Sequence, residues 1–132
     1  MRALIAAALL VVAGSAFACG YCLEDQIAAV YDHAIVTQAL ARKHHVAFFH
    51  VDGAPAAPAL ERAVYATPGI DRGTLRVAAD RRTVSFAYDP ARAKLGALHL
   101  GIEKRLAAGR VSLLPLDVIE RPGDLQAIEA RP

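Results

Sequence analysis

Apolar residues recur at helical spacing from Leu23 onward and at strand spacing further on. Leu23, Ile27, Val30 and Ala34 lie on one stripe, with Glu24, Asp25, Asp32 and Gln38 elsewhere on the wheel, which predicts one helix over Leu23 to Ala41. The basic run Arg42-Lys43-His44-His45 suits its C-terminus. Val46 to Val51 is short and β-rich, and Asp52-Gly53-Ala54-Pro55 breaks it. Pro58 to Thr67 reads as a helix with Leu60, Ala63 and Val64 on its apolar side, and Pro68-Gly69 stops it. Leu75, Val77 and Ala79 alternate, as do Val84, Phe86 and Tyr88. With Asp80-Arg81-Arg82 between them, they predict a hairpin. Asp89-Pro90 opens a helix to about Ala108, with Leu95, Leu98, Ile102 and Leu106 on one stripe and Gly109 as its cap. Val111 to Ile119 is the last strand, and Arg121 to Pro132 is a loose polar tail.

After the first helix the order is strand, helix, strand, strand, helix, strand. This predicts an α+β fold, a ferredoxin-like βαββαβ antiparallel sheet with an additional N-terminal helix. Both crossover helices would lie on one face. The first and last strands are apolar on both faces, through Val46, Phe48 and Phe49 and through Leu113, Leu114, Leu116 and Val118. The second face therefore needs a cover. The N-terminal helix is one candidate, and a homodimer through the open face is the other.

Residues 1–18 change the picture of where the protein works. Arg2, the uncharged run Ala3 to Ala13 and the small residues Ala16 and Ala18 form a secretory signal peptide. Gly14 and Ser15 end the apolar run before the roughly 20 residues that a membrane span needs. The mature chain is expected to begin at Cys19 in the periplasm or outside the cell. A cysteine at that position also permits an outer-membrane lipoprotein, although Ala16 stands where such signals carry Leu and Phe17 where they carry a small residue. Membrane attachment would follow only from lipidation of Cys19. The expected organisation is signal peptide 1–18, cysteine segment and helix 19–44, ferredoxin-like domain 45–120 and polar tail 121–132. A net charge of +2 gives no footprint for nucleic acid.

The two cysteines of the chain stand together as Cys19-Gly20-Tyr21-Cys22. Thiols at this spacing can clamp one soft ion or close a disulfide. Cys22 sits at a predicted helix N-terminus, where partial positive charge favours thiolate, although Glu24 and Asp25 oppose it. Two thiolates suffice for Cu(I). Zn(II) is the second choice, since a structural zinc needs about four protein ligands. His33 would lie about 16 Å from Cys22 along one helix, too far to share an ion. His44 and His45 are explained by a helix end, and His99 by a half-buried place in a helix. Arg81 and Arg82 read as solvated turn residues, and Tyr21 either shields an ion or packs.

Across His45 to Ile119 the chain resembles the heavy-metal-associated domain family, the copper-chaperone-like modules. The similarity is carried by Ala59-Leu60-Glu61-Arg62-Ala63-Val64, Pro68-Gly69-Ile70 and Phe86-Ala87-Tyr88-Asp89-Pro90. It implies a ferredoxin-like fold that carries a soft metal ion. The family's Cys-x-x-Cys lies between its first strand and first helix; the matching loop here, Asp52 to Pro58, has no cysteine. The family ligands therefore do not carry over, and the N-terminal pair takes their place in the expectation. His50 ends a strand beside that loop and is the candidate third ligand. The expected metal site is thus Cys19, Cys22 and His50, in an exported copper-binding or transfer protein, not an enzyme, that exchanges metal with a donor or acceptor protein. Two alternatives use the same pair. One is a thiol-disulfide redox protein; the motif resembles that of periplasmic disulfide isomerases, but no thioredoxin pattern follows it. The other is a non-catalytic interaction module with a structural disulfide.

Overall fold

The computed structural model describes residues 22–129. The elements are α1 (Leu23–Val30), α2 (His33–Ala41), β1 (His45–Asp52), α3 (Ala57–Tyr65), β2 (Arg76–Val77), β3 (Thr83–Tyr88), α4 (Leu95–Leu106), β4 (Ser112–Ile119) and α5 (Pro122–Glu129). A 3-10 turn, Ala107–Gly109, follows α4. The fold is α+β, with a four-stranded antiparallel sheet in the order β2-β3-β1-β4. β1 pairs with β3 on one side, Ala47 opposite Phe86, and with β4 on the other, Val51 opposite Leu113. The β4 register shifts opposite Phe48 and Phe49, where Asp117 and Pro115 are their partners and Leu116 is the extra residue of a bulge.

The alternation along β1 sorts two cores. Ala47, Phe49 and Val51 face Val84, Phe86 and Tyr88 of β3 on the side covered by α3 and α4. Leu60, Ala63 and Val64 close that core from α3, and Leu98, Ile102 and Leu106 from α4. Val46, Phe48, Ala87 and Ile119 face the other way, under Ile27 and Val30 of α1 and Val36 and Ala39 of α2. The face that was open to a second subunit in the sequence expectation is therefore covered by the chain's own helices. Among the described residues no helix is long and apolar enough to cross a membrane.

The expected single N-terminal helix is two helices. Tyr31 is extended, and Asp32 caps α2 by accepting from the Ile35 N–H at 3.2 Å. Arg76 reaches the same carboxylate at 3.1 Å. The Ile35 N–H, together with the Arg76 guanidinium, holds the Asp32 carboxyl below its ordinary range. At the break, the Val30 carbonyl accepts a hydrogen bond from the buried Ser85 hydroxyl at 2.9 Å. The bend lets both helices lay their stripes on one twisted sheet.

The expected loose tail is also corrected. Residues 122–129 form α5, whose Leu125 and Ile128 pack on the second core. Asp124 accepts from the Glu120 and Arg121 N–H groups, both at 3.0 Å, and these bonds lower its pKa. β2 is only two residues long, and Ala78, not Ala79, is buried beside it. α4 begins at Leu95, because Asp89-Pro90 forms a turn in which the Asp89 carbonyl accepts from Arg92 and Ala93. The left-handed residue after α4 is Arg110, not Gly109: the last turn tightens to 3-10 and moves the reversal one place on.

α4 is tied to β4 by Glu103, whose Oε1 accepts from the Leu113 N–H at 2.7 Å and lies 3.0 Å from His99 Nε2. The Leu113 N–H, and after it His99, hold the Glu103 carboxyl below its ordinary value. A depressed carboxyl stabilises the fold fully above its unfolded-state pKa and loses that contribution as pH falls through the folded value. Glu103→Gln is therefore expected to lower the thermal midpoint at about pH 6, with the gap from the parent closing towards about pH 3. A gap that stays constant across this window, measured by circular dichroism, would contradict the assignment.

Candidate functional site

Cys22 is the N-cap of α1 and is exposed. The amide N–H groups of the first turn lie ahead of it and favour thiolate, while Glu24 and Asp25 in the same turn weaken the effect. Cys19 and Tyr21 lie outside the described residues, as does the expected signal peptide, 1–18.

Two contacts fix how α1 lies on the sheet. Gln26 Oε1 is 2.8 Å from His50 Nδ1, and the Val30 carbonyl meets Ser85, which pairs with Phe48. Four residues of helix and two of strand cover about the same 6 Å, so α1 runs along β1 in the opposite direction. One further turn back brings Cys22 to the level of Asp52, at the end of the sheet where β1 enters the loop to α3. α1 thus starts at this end of the sheet, on the face opposite α3 and α4.

His50 is half-buried at this end. An amide oxygen can only accept, so in this contact with Gln26 the His50 Nδ1–H is the donor. Together with Arg82, Leu114 and Leu116, these two side chains line an open pocket of about 450 Å³. Leu114 is 55% exposed there, one of two large apolar side chains among the described residues that stand out into solvent. The surroundings are mixed: the Arg82 guanidinium on one side, the start of α1 on another and an apolar wall from β4.

Of the expected ligands, the structure brings His50 onto α1 one turn from Cys22. Among the described residues, no group of three His, Cys, Asp or Glu side chains converges on a metal-sized site. Gln26 was missed by sequence reasoning, although its place four residues after Cys22 puts both on one side of the helix.

The other histidines are placed elsewhere. His33 starts α2, within 3.4 Å of the Tyr31 hydroxyl. His44 bridges two carboxylates, 2.6 Å from Asp71 and 3.8 Å from Asp89, which a helix end alone does not explain. His45 rests edge-on against Tyr88 with Glu120 at 3.9 Å, and burial raises the Tyr88 pKa. His99 is half-buried against Phe49 and Glu103, as expected. The arginines of the hairpin, Arg81 and Arg82, are exposed. Comparisons with protein-family models, curated proteins and solved structures give no match to this chain.

Proposed function

We propose that the chain is an exported carrier of a soft metal ion, copper(I), which it takes up and hands on through Cys19 and Cys22, with His50 as a third ligand. The observation that carries this reading is the His50–Gln26 contact, which sets an imidazole on α1 one turn from Cys22. Gln26 orients the ring through Nδ1, as hydrogen-bond partners of metal-bound histidines do, and its carbonyl favours the tautomer whose Nε2 can bind. Sulfur and imidazole donors suit Cu(I), and an exposed thiolate at the helix start suits exchange with a donor or acceptor protein.

The fold is read further as ferredoxin-like. β1 and β2 run in the same direction with β3 between them, and β3 and β4 do so with β1 between them. Two interleaved β-α-β units with α3 and α4 on one face support that reading, as does the resemblance to the heavy-metal-associated domains. In this view the thiols have moved from the β1–α3 loop to a segment that reaches the same sheet end from the other side.

Anaerobic competition of the reduced protein beginning at Cys19 against a Cu(I) chelator tests the proposal. One tightly bound ion per chain is expected, with binding abolished in the Cys19→Ser, Cys22→Ser double variant. His50→Ala and Gln26→Ala should each weaken it, the latter by about tenfold or more. Tight one-to-one binding that survives loss of both thiols sinks the assignment. The exposed Cys22 at a helix start also favours a thiol-disulfide couple. Exchange with glutathione at a compartment-like potential, without tight copper binding, would establish that reading, whereas a potential below about −300 mV would mark a structural bridge.

A further inference from the structure

We propose that the outer surface of α3 and α4 docks an acidic, extended peptide segment of a partner protein. Two adjoining hollows run across this surface. The first, of about 590 Å³, lies along α3 between Arg62 and Arg72, with Tyr65 and Pro58 as apolar walls. The second, of about 350 Å³, lies between α3 and α4, from Arg62 to Arg105 over Ala59, Ala63 and Leu106. Arg62 and Ala66 line both, so the two form one groove with three guanidinium groups along it.

The groove is held in shape. The Tyr65 hydroxyl accepts the N–H of Gly73 at 3.1 Å and of Leu75 at 3.2 Å, which pins the loop carrying Arg72 against α3. Arg105 Nη1 donates to the Gly101 carbonyl at 3.0 Å, which fixes the far end. Alanines keep the floor low where α3 meets α4. Among the described residues, none of the three arginines forms an ion pair with a carboxylate. Arg62 and Arg105 also suit the last turns of their helices, but Arg72 lies in a loop, where no helix dipole explains it.

Charge complementarity selects the occupant. Three guanidinium groups against the single carboxylate of Glu61 call for carboxylates, which arginine binds in bidentate pairs. A concave, small-floored groove takes an extended chain, whereas a membrane needs a protruding apolar and basic face. α3 and α4 cover the sheet face opposite α1, so a partner seated here leaves the Cys22 end accessible.

The test is fluorescence anisotropy of a labelled hexaglutamate peptide with the full mature chain. Binding is expected at about 0.05 M salt and should weaken steeply by about 0.3 M. The triple variant Arg62→Ala, Arg72→Ala, Arg105→Ala should lose at least about tenfold in affinity, and Arg72→Ala alone part of that. A control that removes equal charge elsewhere, Arg42→Gln, Arg81→Gln, Arg121→Gln, should stay within about twofold of the parent. Glu61→Gln should strengthen binding. All side chains changed are exposed, and an unchanged thermal midpoint confirms folding. Absence of binding, equal losses in the two triple variants, or tighter arginine-dependent binding to phosphatidylglycerol vesicles than to the peptide would each overturn the proposal.

Discussion

Phe49→Ala is expected to lower the unfolding free energy by about 3–5 kcal/mol, a large share of the roughly 5–15 kcal/mol that such a domain has. Phe49 is fully buried at the middle of β1, which has a strand on either side. Its ring stacks on Phe86 at 5.8 Å and lies 5.5 Å from the His99 ring. Truncation leaves a hole bounded by a sheet on one side and α4 on another, neither of which can collapse without breaking strand pairs or the Glu103 bond to β4. Urea denaturation should show a lower midpoint with the same slope. The matching surface change, Leu114→Ala, should move stability by no more than about 0.5 kcal/mol. If Phe49→Ala costs less than about 1 kcal/mol, the assignment of this core is wrong.

Gly53→Ala is expected to cost about 2 kcal/mol or more. Gly53 has φ +105°, a conformation that side chains rarely adopt. A Cβ there would sit 2.8 Å from the Arg110 carbonyl oxygen and 3.1 Å from the Val111 Cα, both backbone atoms. Backbone cannot rotate aside as a side chain can, so either the loop after β1 or the start of β4 has to move. Gly73→Ala is the comparison: φ is +78°, but nothing lies within 4 Å of the new methyl. Its cost should be limited to the left-handed backbone, about 1–2 kcal/mol. Equal thermal midpoints for the two variants would show that the contact with Arg110 does not matter.

The strands and crossover helices could be read from the chain because burial there follows period. Phe49 alternates with Phe48, and Leu60 and Val64 repeat with the helical turn, so each residue's face is implied by its neighbours. The break at Tyr31-Asp32 was passed over because Ala34 prolongs the stripe of Ile27 and Val30. In the fold Ala34 is exposed, and the buried residues of α2 are Val36 and Ala39, with Val36 half a turn out of phase with Ile27 on a single helix. The Asp32 cap on Ile35 and its pair with Arg76, 44 residues away, set the new phase. α5 was missed because only Leu125 and Ile128 face the core and the rest of the segment is polar. The site divides in the same way. Cys22 and His50 stood out by their chemistry, but Gln26 did not, since an amide has no distinctive reactivity and its role depends on a contact across 24 positions. His44 was assigned to a helix end because the carboxylates beside it, Asp71 and Asp89, come from distant turns.

The two borders of the sheet are both poor templates for another chain. At one border β2 offers only two residues. At the other, β4 is eight residues long, but Pro115 has no N–H to give and the bulge at Leu116 interrupts the spacing of those around it. A strand from a second copy would find no uninterrupted ladder to extend on either side. Copies of the protein crowded together, even with their helices partly opened, should therefore resist stacking into a continuous cross-β ribbon.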